Sequence, residues 1–433
     1  MSLLQLMTVG RKRAPALEWN ADQAEAIRKI NAFIADEGAR EIGIFGAAGT
    51  GKTSVVGFAL ANVRQRVAFC APTHKAAGIL ASKAPPWIPC YTVHKILGCK
   101  KRYDEENGEI LFLPDPSSSL IDQYDVIVID ECSMIGETIH GWIIEAAART
   151  GVKIVWLGDP YQLPPVKDGL KAPAFGVKRY HELTVIMRHT GIIQTLCDEV
   201  REAIIARTPA PVVTRDRVGY DGHGEIKRYP NSEEGIAAFL GYYMEDPKTA
   251  KALAFKNDDV DFLNGYLRRM IYGDEADTPF LVGERLVLVD TYESPTVGGV
   301  YHSGAELTLH EAEQTIEKGL KCWRLQVETD YGAEFEAFAF GSKAEHVAGA
   351  RMIGRLRQDG KDGLGWRPYF DAVETFARVR PGYATTIHKS QGSTYDRVFI
   401  LQSELLTLTW DRDLLSRLLY VAFSRARREI CVV

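Results

Sequence analysis

Residues 41 to 53 read Glu-Ile-Gly-Ile-Phe-Gly-Ala-Ala-Gly-Thr-Gly-Lys-Thr, and this stretch constrains the fold more than any other. Ile42, Ile44 and Phe45 make a short apolar strand that runs straight into a glycine-rich turn. Gly46, Ala47, Ala48, Gly49, Thr50, Gly51, Lys52 and Thr53 fit G-x-x-x-x-G-K-[ST], a loop that cradles phosphates. The residue types follow from the chemistry. Glycines let backbone N–H groups converge on phosphate oxygens with no side chain in the way. A helix predicted over 54–63 points its positive N-terminus at the same oxygens. Lys52 would reach the β- and γ-phosphates, and the Thr53 hydroxyl would bind Mg²⁺.

The rest of the chain bounds the setting of this loop. A length of 433 residues is enough for about three domains, each with its own core. The net charge of −5 gives no global basic field and so argues against a simple nucleic-acid coat, while a local basic channel stays open. Lys100, Lys101 and Arg102, then Arg268 and Arg269, then Arg425, Arg427 and Arg428 form local clusters that read first as solvated faces. No apolar run is long enough to span a membrane. Leu3, Leu4 and Leu6 precede Arg11, Lys12 and Arg13, the reverse of a secretory leader, so the expected location is the cytoplasm. Seven cysteines without a C-x-x-C pair argue for reduced thiols and against a zinc site or disulfide frame.

Apolar residues recur at helical spacing over 19–34, with Asn20 as N-cap. Strands are predicted at 67–71, 124–130 and 153–159, alternating with helices, which implies a parallel α/β sheet. Residues 98–117 differ. Two short strands flank Asn107-Gly108, the signal of a hairpin inserted in the α/β domain. A second α/β pattern is split, with a strand at 253–257, a helix at 258–272, strands at 383–388, 397–401 and 429–433, and a helix at 411–426. The interruption at 281–379 has β-rich runs at 286–289, 323–327 and 335–339, then helical material over 342–378, and reads as a small β domain.

Several residues fit phosphoryl-transfer chemistry. Asp130-Glu131 closes an apolar strand, where one acid holds Mg²⁺ with Thr53 and the second polarises the attacking water. Gln162 follows the next strand and can bond both a phosphate and a water. Arg188 and Arg425 are the candidates to stabilise charge developing on the γ-phosphate.

Nine segments stand in a fixed order: Gln23; the loop 46–53; Pro72-Thr73-His74-Lys75; Thr92-Val93-His94; Asp130-Glu131; 158–166 with Gln162; 183–188 with Arg188; Thr386-Ile387-His388-Lys389; and 420–427 with Arg425. Together they resemble the motifs of superfamily 1 helicases, in the RecD-like 5′-to-3′ branch (superfamily 1B) that includes the Dda-like enzymes. The resemblance covers nearly the whole chain. It implies an α/β fold of two RecA-like P-loop lobes, with an inserted pin hairpin and an inserted β-barrel-like domain. The first lobe would take 1–97 and 118–190, the pin 98–117, the second lobe 191–280 and 380–433, and the inserted domain 281–379. ATP with Mg²⁺ would lie between the lobes, with Gln23 reading adenine.

The resemblance also assigns DNA contacts to Pro72, Thr73, His74, Lys75, Thr92, His94, Thr386, His388 and Lys389, and to Phe255 and Asn257 at a fourth contact position. Phe112 would be the pin aromatic that splits the duplex. The expected partners are single-stranded DNA, duplex junctions and replication or recombination proteins, and the expected state is a monomer. A strand-bound translocase that strips proteins without processive unwinding stays open as an alternative. A guanine-nucleotide switch would need N-K-x-D, and Asn-Lys occurs nowhere in the chain.

Overall fold

The strands Glu41–Gly46, Val67–Ala71, Val126–Ile129 and Lys153–Gly158 are almost wholly apolar, and nearly every residue in them is buried. Strands buried on both faces belong inside a parallel sheet covered by helices on each side. The computed structural model, which describes residues 19–61, 63–106, 108–165, 171–186, 191–219, 224–294 and 299–433, has that arrangement. The first six-stranded sheet is parallel throughout, in the order Cys90–Thr92, Val67–Ala71, Val126–Ile129, Lys153–Gly158, Glu41–Gly46, Tyr180–Leu183. One core, with Ile30, Phe33 and Val55, lies on one face, and another, with Ile96, Ile143 and Trp156, on the opposite face.

A second six-stranded sheet runs Ala384–Thr386, Ala250–Ala254, Tyr395–Ile400, Ala426–Val432, Glu225–Arg228, Arg217–Val218, and only the last pairing is antiparallel. Two further cores cover its faces. The chain is thus α/β with two parallel-sheet lobes, and both put their strand ends and loops toward a common cleft.

The strands Arg285–Leu288, Glu306–Glu317, Leu320–Thr329, Glu334–Ala339 and Val379–Pro381 form a five-stranded antiparallel sheet. Leu307, Leu309, Leu325, Val327, Phe335 and Ala337 alternate onto one face and build its core. A bridge from Phe338 in one edge strand to Phe376, just ahead of the other, with the Ala377 N–H donating to the Phe338 carbonyl at 2.7 Å, brings the two edges of the row together. The helices Lys343–Lys361 and Arg367–Thr375 follow.

The hairpin pairs Lys100–Asp104 with Glu109–Leu113, setting Lys101 opposite Phe112 and Tyr103 opposite Ile110. It rests on the helix Arg367–Thr375. The Tyr103 ring lies 4.3 Å from Phe370, the Tyr103 hydroxyl donates to Glu374 Oε1 at 2.8 Å, and Lys101 pairs with Glu374. Gly108 takes φ +67°, and a Cβ there would stand 2.4 Å from Trp366 Cζ3, so only glycine allows this approach.

Three boundaries differ from the sequence reading. The helix after the phosphate loop spans Lys52–Leu60, because left-handed Gly51 caps it directly. The helix near the C-terminus ends at Phe423, which leaves Arg425 in the turn before Ala426–Val432. The strand Ala250–Ala254 stops before Phe255, and Asn257 opens the helix Asn257–Tyr272. Among the described residues no helix is long and apolar enough to cross a membrane.

Candidate active site and nucleic-acid interface

The phosphate loop needs three glycines for a geometric reason. Gly46, Gly49 and Gly51 have φ of +148°, +88° and +85°, and a Cβ on Gly46 would fall 2.4 Å from the Leu183 carbonyl oxygen. Lys52 Nζ folds over the loop and donates to the carbonyls of Gly46 (2.7 Å) and Ala47 (2.9 Å). Thr53 Oγ1 donates to Asp130 Oδ2 at 2.9 Å. This pair of adjacent hard oxygens suits Mg²⁺. Gln23 is buried behind the loop. Its Nε2 donates to the Thr50 carbonyl at 3.1 Å, and its Oε1 accepts from the Asn20 N–H, completing a capping box. Gln23 therefore braces the loop that it would flank as an adenine reader.

Glu131 follows the strand Val126–Ile129 in a left-handed conformation, φ 52° and ψ 41°. A non-glycine residue held there carries strain, which is common at functional sites. Desolvation and the neighbouring Asp130 raise its pKa, while Arg425 and Lys52 pull the other way. A raised carboxylate pKa suits a proton acceptor. The cavity in front of it, about 280 Å³, is lined by Gly49, Lys52, Thr53, Glu131 and Gln162 from the first lobe and by Arg425 from the second. Arg425 is 4 % exposed. It donates to the carbonyls of Val421 (3.1 Å), Ser393 (2.9 Å) and Ser390 (3.4 Å) and to Ser424 Oγ (2.9 Å). All of these hydrogen-bond partners are neutral, so among the described residues no carboxylate bonds Arg425 directly, and its charge is felt across the cavity by Glu131.

The candidate DNA-contact residues fall into two groups. Thr73, Thr92 and Thr386 each open a helical turn and accept the N–H of the third residue on, Ala76 (3.2 Å), Lys95 (3.1 Å) and Lys389 (3.2 Å). A hydroxyl that accepts one bond keeps its own proton to donate, so the same device occurs in both lobes. Desolvation lowers the pKa of His94 and His388, which makes them neutral groups and not cations. Pro72 is half-buried in the loop ahead of Thr73, while Lys389 and Asn257 are exposed. Phe255 packs on the second-lobe core, with its ring 6.1 Å from His388.

The second group is already engaged. The His74 ring stacks on His302, in the loop ahead of the inserted strand Glu306–Glu317, and Lys75 Nζ pairs with Glu306 Oε1 at 3.1 Å. Glu306 also binds Lys251 (3.0 Å) and Arg285 (3.2 Å). Burial pushes the Glu306 carboxyl up, but Lys251 and Lys75 outweigh it and hold the group well below the usual carboxylate range. His74 and Lys75, read from the sequence as open to a phosphate backbone, face the inserted domain instead, because its acid and imidazole complement them. Phe112 is 44 % exposed and belongs to none of the buried cores.

Comparisons with known proteins agree with this geometry. A family model described as an AAA domain matches residues 18–208, and one described as a UvrD-like helicase C-terminal domain matches 381–433, together more than half of the chain. The ATP-dependent DNA helicase Dda of Enterobacteria phage T4 is 28 % identical over 430 residues, which cover 90 % of this chain and 93 % of that protein. The RecBCD enzyme subunit RecD of Mycobacterium tuberculosis is 27 % identical, with 90 % of this chain and 65 % of that protein covered. The chain thus carries an AAA domain and a UvrD-like helicase C-terminal domain, and along most of its length it is similar to the Dda- and RecD-like helicases of superfamily 1B. Solved structures share the fold. A Pif1 helicase structure on unwinding at forked DNA has a TM-score of 0.56 at 18 % identity, with 96 % of this chain and 92 % of that chain covered. Bacteroides Pif1 bound to single-stranded DNA has a TM-score of 0.53 at 18 % identity, with 95 % and 92 % covered.

In this chain Lys52, Thr53, Asp130, Glu131, Gln162 and Arg425 converge on one cavity. Arg188 lies outside the described residues. Sequence reasoning assigned no role to Asp159, Gln391, Arg417 or Tyr420, all of which join the two lobes. Their signal was present, since Asp159 and Tyr420 stand inside two of the nine segments, but a role needs a partner that spacing does not give.

The imidazole stack yields a pH prediction. Desolvation, with His302 and His94 nearby, lowers the His74 pKa to about 3, and desolvation lowers that of His302 to about 4. Both rings are neutral in the fold, whereas the unfolded chain binds protons below roughly 6.5. Stability from this contact is therefore complete above that pH and is lost as pH falls toward 4. Thermal melts should show Tm falling through this window, and His302→Phe should flatten the fall. An unchanged slope in His302→Phe would contradict the assignment.

Proposed function

We propose that this chain is an ATP-dependent helicase that moves 5′ to 3′ on single-stranded DNA and unwinds duplex. The observation that carries this reading is the cavity with Lys52 and Glu131 on one wall and Arg425 of the other lobe on the opposite wall. In this reading the loop N–H groups and Lys52 hold the phosphates. Glu131 takes a proton from the attacking water, which Gln162 helps to orient. Arg425, with Arg188, stabilises charge on the γ-phosphate. Thr53 and Asp130 would hold Mg²⁺, which when bound neutralises charge on the β- and γ-phosphates. Because Arg425 comes from the second lobe, the cavity is complete only when the lobes are closed, so ATP favours closure and hydrolysis releases it.

The threonines and histidines at 73, 92, 94, 386 and 388 sit at matching turns of both lobes and supply two backbone grips that alternate as the lobes move. The named relatives and the Pif1 structures bound to single-stranded and forked DNA support a DNA substrate. The 5′-to-3′ direction rests on the family, as does action as a monomer in replication or recombination.

Lys52→Ala should abolish both tight nucleotide binding and hydrolysis, whereas Glu131→Gln should abolish hydrolysis and still bind ATP. Equilibrium binding of a fluorescent ATP analogue separates the two, and loss of binding in Glu131→Gln would contradict the assignment.

Single-stranded DNA, by drawing the lobes onto one strand, should raise the ATPase rate by on the order of 10³. Phe112→Ala should keep that stimulation and lose most unwinding, since base–aromatic stacking of about 1–3 kcal/mol is what a wedge offers a parted base. With its side chain outside the core, stability should change by less than about 1 kcal/mol. A hydrolysis rate indifferent to DNA would sink the functional reading, and wild-type unwinding by Phe112→Ala would dispose of the wedge.

A further inference from the structure

Two buried side chains meet across the cleft at a point that the chemistry above does not use. Asp159, just past the strand Lys153–Gly158, is 1 % exposed, and Tyr420, in the helix Arg412–Phe423 of the second lobe, is 2 % exposed. The Tyr420 hydroxyl donates to Asp159 Oδ2 at 2.8 Å. The same oxygen accepts the N–H of Ala48 in the phosphate loop at 3.1 Å, and Oδ1 accepts the Tyr161 N–H at 3.0 Å. A buried carboxylate has to be satisfied, and here neutral donors satisfy it, two from its own lobe and one from the other.

Two more side chains hold the same loop. One turn before Tyr420, Arg417 Nη1 donates to the carbonyls of Pro160 (2.8 Å) and Gln162 (3.0 Å). Gln391 Nε2 donates to Gln162 Oε1 at 3.3 Å. The helix that carries Arg417 and Tyr420 ends two residues before Arg425, whose Nε donates back to the Val421 carbonyl of that helix. One short helix therefore grips the first-lobe loop with its outer face and delivers the cleft arginine from its end.

We infer that Tyr420, assisted by Arg417, is a positioning residue that ties the phosphate loop to the helix presenting Arg425. The inference rests on the proposed reading of the cleft as an ATPase. Asp159 is the joint. Its Oδ2 orients the Ala48 N–H on one side and fixes the helix on the other, so a displacement of the phosphate loop is felt at Arg425. Burial and Asp159 push the Tyr420 phenol well above its ordinary range, so it remains a donor throughout neutral pH. A hydrogen bond to a carboxylate is among the stronger kinds, and leaving that carboxylate short of a donor in a dry cleft carries a penalty of its own.

The bland alternative is that Tyr420 only fills the second-lobe core, where its ring is packed. Tyr420→Phe separates the two, because it keeps the ring and removes the hydroxyl. If Tyr420 positions Arg425, Tyr420→Phe should lower kcat of DNA-stimulated ATP hydrolysis by about tenfold or more and leave KM for ATP within about twofold. Single-strand affinity without nucleotide should stay at the wild-type value. Arg417→Gln, at a partly exposed site, should lower kcat in the same direction. Combining Tyr420→Phe with Asp159→Asn should cost less than the product of the single effects, because both remove one bond. Wild-type kcat in both Tyr420→Phe and Arg417→Gln would overturn the inference while the DNA-stimulated wild-type rate measured beside them keeps the ATPase reading. An unstimulated wild type would overturn both.

Discussion

The charge on a triphosphate has to be met from two sides, and the chain divides that task between its lobes. Lys52 and the loop N–H groups stand on one wall of the cavity, and Arg425 on the other. Arg425 is buried among carbonyls of its own lobe, which orient it without neutralising it. That arrangement gives the gap between two independently folded sheets a reason to close and to open. Each sheet has cores on both of its faces, and Leu163 of the first-lobe loop is buried in a second-lobe core, so the lobes are packed together at that loop.

The inserted pieces are tied to the same movement. The inserted β domain leaves the second lobe and reaches the first through His302 on His74 and Glu306 on Lys75. The hairpin leaves the first lobe and rests on the inserted domain through Tyr103, Lys101 and Gly108. Each lobe thus carries an insertion, the two insertions touch, and the apolar run at 111–113 stays exposed. The Lys251–Glu306–Arg285 cluster anchors the inserted domain on the second lobe with desolvated, mutually paired charges.

What could be read from the sequence follows from how local each cause is. The phosphate loop is legible because its glycines, lysine and threonine act through their own backbone, with no need of a distant partner. The same holds for Asn20, whose side chain caps the helix Ala21–Ala35 three residues on. The strand Glu306–Glu317 escaped notice, because its outward positions are charged or polar and its apolar ones are few. The docking of His74 and Lys75 was hidden for another reason: Lys75 and Glu306 are separated by 231 positions and meet only when the inserted sheet folds over the first lobe. Tyr420 and Asp159 are 261 positions apart, and nothing in either segment alone says that a phenol from one lobe satisfies a carboxylate of the other.

The central claim is that closure of this cleft drives movement along one strand in one direction. Unwinding of two matched duplexes, one with a 5′ single-stranded tail and one with a 3′ tail, tests it most directly when followed by strand-separation fluorescence with ATP and Mg²⁺. The account predicts rapid ATP-dependent separation of the 5′-tailed duplex and none above background for the 3′-tailed one. Separation of the 3′-tailed duplex alone, or DNA-stimulated hydrolysis with neither duplex opened, would contradict it.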